Sequence, residues 1–443
     1  MKRWVVVLLV LLAVVILVSP GIVGQLAERS LKDSISWAEE ESEDILVTEE
    51  TFDRGWFTAE GRHRIELKRG DLRSSLLEFT GGDADDRIPV LIVDTRIDHG
   101  LVPFTSMSRK SGSLLPALAS TMSTMQLDTG DGGLIDIPGT LYSHVGLTGA
   151  TGSRYLLQAG SYEDEQAQVE WQGADVSATT DSSRRELTYR GEIEPLSLHS
   201  GDKHFSLKQA SFEGDSRYTD FGFMVGAVLV EIDELSFSGG AGEAVDVANL
   251  KIDASSDVVD ERVSGKTVLT VDGFSVPGVG DVDVAIDVAA NRLEAASLQG
   301  IIAEVRAAQQ APDPDAAMQA LYPRIEKDLR TMFSSGAELR IDRFDLTLPQ
   351  GEVTTRLHLE LPEAETAGEV SWAALLLALT ASADLRVPVA LMDLAQAANP
   401  QSGALIAMGI LKPDGDSYVV HAQYEKGLLT VNGAPMPIPL PGR

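Results

Sequence analysis

The sequence predicts an α+β, β-dominated protein: elongated antiparallel sheets or meanders with a few covering helices, preceded by one N-terminal transmembrane helix. Three observations predict it. An unbroken apolar run follows two cations at the N-terminus, the body is dominated by residues alternating apolar and polar with period 2, and only a few short stretches carry helical spacing.

The first element is the apolar run. Lys2 and Arg3 precede Trp4 to Val23, which is long enough as a helix, at roughly 30 Å, to cross a hydrocarbon core. Pro20 falls near its far end, where water or headgroups satisfy the freed carbonyl. The best small-residue cleavage site ends at Gly24 but places Ile22 three residues from the cut, so residues 1–25 read as an uncleaved signal anchor. The positive-inside rule keeps Lys2 and Arg3 cytoplasmic. The expectation is therefore a bacterial inner-membrane, single-pass protein with its N-terminus cytoplasmic and its body periplasmic.

Composition narrows the body. The chain has 443 residues, no cysteine and a formal net charge of −31. Without cysteine it has neither disulfides nor lipoprotein processing, so ordinary cores must hold it together. The acidity argues against nucleic acid, whose phosphates attract Lys and Arg, and against the body lying on an anionic leaflet. Glu39, Glu40, Glu41, Glu43 and Asp44 beside the anchor would be repelled there. A solvated, aggregation-resistant surface accounts for the charge more simply than an acidic site for a cationic partner.

Two periplasmic regions are expected, 26–185 and 186–443. The first opens with a short helix over 26–44 and continues as strands, among them His63 to Leu67 and Val90 to Ile97, punctuated by Gly and polar clusters at 81–86 and 130–133. From about 185 to 361 a degenerate repeat appears. Phe205-x-Leu207-x-x-Ala210-x-Phe212 returns as Val230-x-Ile232-x-x-Leu235-x-Phe237, as Leu269-x-Val271-x-x-Phe274-x-Val276, and as Leu339-x-Ile341-x-x-Phe344-x-Leu346. Each copy joins two period-2 segments offset by one residue, the pattern of a strand with a bulge in its middle. Chance likeness among half-buried strands is the competing account of the repeat. Leu207, Phe212, Ile232, Phe237, Val271 and Phe274 are the candidate apolar groove face.

Helices are expected near 294–335, 370–380 and 402–411. Leu298, Ile301, Ile302 and Val305 have helical spacing; Pro314 suits a first turn, and Met318, Leu321, Tyr322, Ile325, Leu329, Met332 and Phe333 form a stripe suited to covering the sheet. Pro323 restarts that helix and Gly336 is placed to end it. Trp372 to Thr380 is apolar but half a membrane span, hence a docked helix. Tyr418 to Tyr424, the turn Glu425-Lys426-Gly427, and Leu428 to Gly433 form a closing hairpin.

Four landmarks occur in order: the anchor; Arg54-Gly55-Trp56-Phe57 before an alternating strand; the Leu348-Pro349-x-Gly351 hairpin; and Tyr424-x-x-Gly427-x-Leu429-x-Val431-Asn432-Gly433. Together they resemble the YdgA-like family of Gram-negative inner-membrane-anchored periplasmic proteins of unknown function, from the first residues to about 440. The resemblance implies an inner-membrane protein with a periplasmic body and carries no catalytic residues with it. AsmA-like proteins, associated with moving or organising envelope lipids, are similar in organisation alone. By its own chemistry, Trp56-Phe57 suits a strand-start packing cluster, or anchoring at a bilayer interface or partner groove.

Chemical motifs are sparse. There is no P-loop, no His-Glu-x-x-His and no cysteine ligand. Gly146 to Gly152 is glycine-rich without a following Lys and reads as a β-turn. Gly273-Phe274-Ser275-Val276-Pro277 misses a nucleophile elbow by its final Pro. His199 and His204, five apart around Asp202, share no helix face and point to opposite sides of an ideal strand, so no metal site is expected. Asp83, Asp85, Asp86, Asp128 and Asp131 fit polar turns better than a Ca²⁺ loop.

No catalytic residue, cofactor or metal is therefore expected. The leading expectation is a non-enzymatic envelope protein, held to the inner membrane by its N-terminal helix, with lipid in a curved β-sheet groove. The alternative is an envelope scaffold that binds other envelope proteins without a ligand; the third is a periplasmic hydrolase. A lipid groove requires an apolar strand face left uncovered, a scaffold a filled core.

Overall fold

The computed structural model describes residues 45–54, 58–67, 90–99, 117–128, 133–146, 148–163, 168–201, 203–239, 244–276, 280–309, 311, 314–364, 370–399 and 403–436. The expected anchor, the expected helix at 26–44 and Gly55-Trp56-Phe57 lie outside them. No described helix is long and apolar enough to cross a membrane. The chain divides into two compact units, Met1–Arg217 with Phe237–Gly242, and Tyr218–Ser236 with Glu243–Arg443.

The first unit is an antiparallel meander: β1 (Ile45–Arg54), β2 (Thr58–Leu67), β3 (Val90–His99), β4 (Ala117–Asp128), β5 (Leu134–Gly146), β6 (Thr151–Glu163) and β7 (Gln168–Thr180), each paired with the next. The sheet then forks. β8 (Glu186–Ile193) follows the second half of β7 and β9 (Leu196–Ser200) the first half. β10 (Lys203–Leu207) pairs with β9, and β11 (Ala210–Tyr218) with β8. The fork sits at Gly173, whose φ of +143° lets the chain bend. The sequence-based division at 185/186 falls between β7 and β8, which are hydrogen-bonded from Ala174↔Ile193 to Thr180↔Leu187.

Alternation sends one face of this sheet inward. Leu91, Met125, Leu127, Ile137, Leu141, Tyr155 and Val176 form one buried cluster, with Phe212 packed against it. Glycines opposite large rings make the packing tight. A Cβ on Gly139 would fall 2.1 Å from the Tyr155 hydroxyl, and one on Gly191 2.4 Å from Cζ of Phe212, its cross-strand partner. On the same face, small hydroxyl residues continue the row: Thr95 bonds Ser123 at 2.8 Å and Ser143 bonds Ser153 at 2.9 Å.

The second unit carries longer strands: β12 (Met224–Ser238), β13 (Val245–Val259), β14 (Arg262–Val276), β15 (Gly280–Glu294), β16 (Glu338–Leu348), β17 (Gly351–Glu360), β18 (Thr380–Pro388), β19 (Lys412–Asp414), β20 (Ser417–Glu425), β21 (Leu428–Val431) and β22 (Ala434–Met436). From β13 to β18 each pairs antiparallel with its successor; β18 then pairs with β20, and β20 leads to β21 and β22. Among the described residues six helices lie between strands: α1 (Ala295–Gln309), α2 (Pro314–Gln319), α3 (Tyr322–Ser334), α4 (Trp372–Ala378), α5 (Val389–Ala398) and α6 (Gly403–Ala407). Pro323 sits at the start of α3, and Gly336, with φ +89°, follows its end, as their chemistry demands.

The offset in the repeat is a bulge where register can be read. β14 slips against β15 between Val271 and Phe274, and β16 against β17 between Ile341 and Phe344. In the first copy the same offset is a break, with Lys208 and Gln209 separating β10 from β11.

The helices correct one expectation. α3 packs mainly on α1 and meets the sheet through the end of β15, where Arg292 Nε donates to the Gly336 carbonyl at 2.7 Å. Within the expected stripe, Leu321 and Met332 are buried while Met318 and Tyr322 are exposed. The stripe is a helix–helix seam at the sheet's end, not a cover over its face. The buried cluster there joins Phe223, Val225, Val263 and Ala295, with Leu293, Leu298 and Ile302 around it.

Candidate functional site: an open apolar sheet face

Strand register assembles the site. Across β13 to β20, Ile252, Leu269, Ile286, Phe344, Thr355, Leu385 and Val420 stand side by side, and Val271, Val284, Leu346 and Val353 form the next row. All but Val271 are half-buried, shielded by their neighbours. The opposite face is charged. Lys266 meets Asp287 at 2.9 Å, Arg343 meets Asp345 at 2.6 Å, and His421 meets Asp384 at 2.6 Å. Glu338 accepts from Asn291 at 3.1 Å and bonds His358 at 3.0 Å. Burial disfavours its charge, but those bonds and the nearby Arg292 and Arg340 hold its carboxyl below the usual range. The sheet is thus amphipathic, with one wetted face and one apolar face.

Helices close the ends of this face. At one end the Tyr424 hydroxyl donates to the Leu376 carbonyl of α4 at 2.8 Å, and Trp372 stacks edge-on to Phe333 of α3. At the other, Gly351 lies against Pro388, which leads into α5; a Cβ there would fall 2.8 Å from Pro388 Cγ.

The six residues named from the repeat fall in both units. Leu207, Phe212 and Phe237 belong to the first unit; Ile232, Val271 and Phe274 belong to the second. Phe212 is a core residue, packed against the buried cluster and 6.3 Å from the Tyr189 ring. Leu207 pairs with Leu196 beside Trp171. Phe237 is exposed and Ile232 half-buried. Val271 and Phe274 do join the open face, flanking the bulge. Ile286, Phe344, Leu346, Val353 and Leu385 are its missed members; their alternation was visible, but which strand abuts which was not.

The motif residues prove architectural. Gly427, with φ +79°, turns β20 into β21 against Leu377. Asn432, with φ +51°, donates its amide to the Gly409 and Ile410 carbonyls at 3.1 and 2.9 Å and accepts from the His421 amide. Gly433 completes the turn with φ +80°. Of the Arg54 motif, only the backbone of Arg54 is described, at the end of β1 opposite Ala59.

Other candidates resolve as structure. Gly146 to Ala150 is the β5–β6 turn, closed by Gly146 N–H to Ala150 O at 2.8 Å. Phe274 and Ser275 lie within β14, in no strand-to-helix turn. Asp128 pairs with Arg64 at 3.1 Å; Asp83, Asp85, Asp86 and Asp131 lie outside the described residues. His199 and His204 are corrected: the β9–β10 hairpin places them directly opposite each other, ring centroids 4.2 Å apart, on one face. Among the described residues no group of three or more His, Asp or Glu is placed to hold a metal. In the first unit, the His63 Nε2, Thr121 Oγ1 and Tyr155 Oη atoms are buried without a hydrogen-bond partner among the described residues. Burial lowers the His63 imidazole pKa and raises that of the Tyr155 phenol.

Fold and face define the class: an antiparallel β-meander protein whose first unit has a tightly packed core and whose second unit has an amphipathic face of partly buried apolar rows. A family model described as bacterial protein of unknown function (DUF945) matches residues 1–439, and the chain belongs to that family. Protein YdgA of Escherichia coli (strain K12) is 23% identical over 188 residues, covering 40% of this chain and 36% of the relative. The match thus spans about a third of the relative's length. No solved structure matches.

Proposed function

We propose that this protein is an inner-membrane-anchored periplasmic envelope protein that holds lipid acyl chains on the open apolar face of its second unit and catalyses no reaction. One observation carries the reading: rows of apolar side chains centred on Ile286, Phe344, Leu346 and Val353 stay partly exposed across β13 to β20, while the helices adjoin the strand ends. Contiguous rows of partly exposed apolar side chains suit an interaction surface. Anchoring and export rest on Lys2, Arg3 and the apolar run from Trp4 to Val23.

The test is native mass spectrometry of the full chain released from a lipid-free detergent. Discrete adducts at phospholipid mass, lost in Phe344→Asp and Leu346→Asp variants that keep the native circular dichroism, support the reading. Lipid carried by the anchor alone would survive those substitutions. A clean protein mass, under conditions that preserve lipid on an established carrier, overturns it in favour of a scaffold without ligand.

A further inference from the structure

Spacing along the chain argues against a metal at His199 and His204, and the β9–β10 hairpin reverses that argument. The two residues are direct cross-strand partners, so their side chains rise from one face on adjacent strands. Their ring centroids lie 4.2 Å apart with the planes inclined by 36°. His199 is exposed, and the Nδ1 atom of His204 is buried without a hydrogen-bond partner among the described residues.

The surroundings hold the pair in place and favour a cation. On the opposite side of these strands Val169 and Leu198 are buried among Tyr162, Trp171, Leu196 and Phe205, which fixes the hairpin against β7. On the imidazole side the neighbours are polar. Gln168 stands opposite His199, Glu170 opposite Ser197, and Glu163 opposite Gln168. Two carboxylates thus share the face with the two rings, in a chain of net charge −31.

Ring chemistry and spacing select the ion. Mg²⁺ and Ca²⁺ take oxygen ligands, whereas imidazole nitrogen suits Zn²⁺, Ni²⁺ and Cu²⁺. With a metal–nitrogen bond of about 2.0 Å and about 1.1 Å from nitrogen to ring centre, two imidazoles at 90° on one ion have centroids about 4.4 Å apart. At the tetrahedral angle the same sum gives about 5.1 Å. The observed 4.2 Å fits the right-angled pair. Square and tetragonal sites belong to Cu²⁺ and Ni²⁺, and Cu²⁺ binds the tighter of the two.

We propose that His199 and His204 form a two-imidazole site for a divalent transition-metal ion, Cu²⁺ ahead of Ni²⁺ and Zn²⁺, on the polar face of the β7–β9–β10 patch. Water completes the coordination. The site lies in the first unit and stands independently of the lipid-holding reading.

The test is calorimetric titration of the untagged full chain in detergent with Cu²⁺ alone, followed by electron paramagnetic resonance. One equivalent is expected to bind, with nitrogen hyperfine splitting from two imidazoles, and Zn²⁺ is expected to bind more weakly. His199→Ala, at an exposed position, should weaken Cu²⁺ binding about tenfold or more with unchanged circular dichroism, since even outer-shell losses cost about 10–100-fold. His204→Ala should do the same. No bound equivalent, or an isotherm that survives both substitutions together, overturns the proposal. Loss of the equivalent in His421→Ala also overturns it, by moving the ion to the exposed His421–Asp384 pair. Phe344→Asp should leave Cu²⁺ binding intact, so failure of the lipid reading and failure of the metal site are told apart.

Discussion

In the first unit Leu91, Leu127 and Tyr155 are at most 1% exposed, whereas in the second Ile286, Phe344 and Leu346, at equally alternating positions, are only partly buried. Strand periodicity is the same in both, and the pairing is antiparallel in both. The difference lies in what stands opposite the large side chains. In the first unit rings fall onto glycines, Tyr155 over Gly139, Trp171 over Gly160 and Phe212 over Gly191, beside small hydroxyl residues. In the second, large side chains face large ones along much of each row, Leu269 opposite Ile286, Ile286 opposite Phe344 and Leu346 opposite Val353, and the helices adjoin the strand ends. Alternation makes a sheet amphipathic; the pairing of large with small residues decides whether its apolar face packs shut.

That contrast can be broken by substitution. The largest effect is expected from Gly139→Val, which drives a side chain into Tyr155 and should cost about 3 kcal/mol in urea unfolding. Leu127→Ala should cost a similar amount, about 3 kcal/mol, by opening a cavity. Leu346→Ala on the open face should cost only about 1 kcal/mol, because its side chain is still partly wet. Equal losses at Leu127 and Leu346 would show that the second face is as closed as the first.

Asn432→Ala comes next. It leaves the Gly409 and Ile410 carbonyls without their donor and should cost about 1–2 kcal/mol, read in thermal melts and in faster amide exchange around 409–411. Protonation tests the filled side. The His63 imidazole is buried mostly away from water, which lowers its pKa below 6.5 despite the opposing pull of Glu49. The unfolded chain therefore binds the proton more readily. Stability from neutral His63 is full above about pH 6.5 and falls as pH drops below it toward the folded pKa. His63→Gln should flatten that part of the stability–pH profile, and an unchanged slope would assign it elsewhere, His144 being the next group lowered by burial. The smallest effect belongs to Arg62→Ala. Its bidentate pair with Asp94 at 2.7 Å is exposed, so the loss should be near 0.5 kcal/mol and shrink with added salt.

Much of the local structure was legible in the residues. The bulges at Val271/Phe274 and Ile341/Phe344 follow from a one-residue offset between period-2 runs, because alternation can change phase only where an extra residue is inserted. The α3 restart at Pro323 and its end at Gly336 follow from backbone chemistry, as does the turn at Lys426-Gly427. α5 was not legible: Val389 to Ala398 is apolar nearly all round, with too little periodicity to separate a helix from a buried strand. Nor were the facing His199 and His204. Alternation along a straight strand puts them on opposite sides, and only the hairpin reverses one of them.

The sequence by itself determined the local elements: β-dominated alternation, bulge positions, turns, the acidic surface, the absence of disulfides and the apolar N-terminal run. Each depends on neighbours a few residues apart, where sterics and hydrogen bonding act directly. Only the tertiary structure decided that Phe212 belongs to a core while Phe344 lies on an open face, and that the helical stripe seals helices together instead of covering a sheet. Those outcomes depend on which strands pair across dozens of residues and on whether a ring meets a glycine or another large side chain, and the period of a single strand encodes neither.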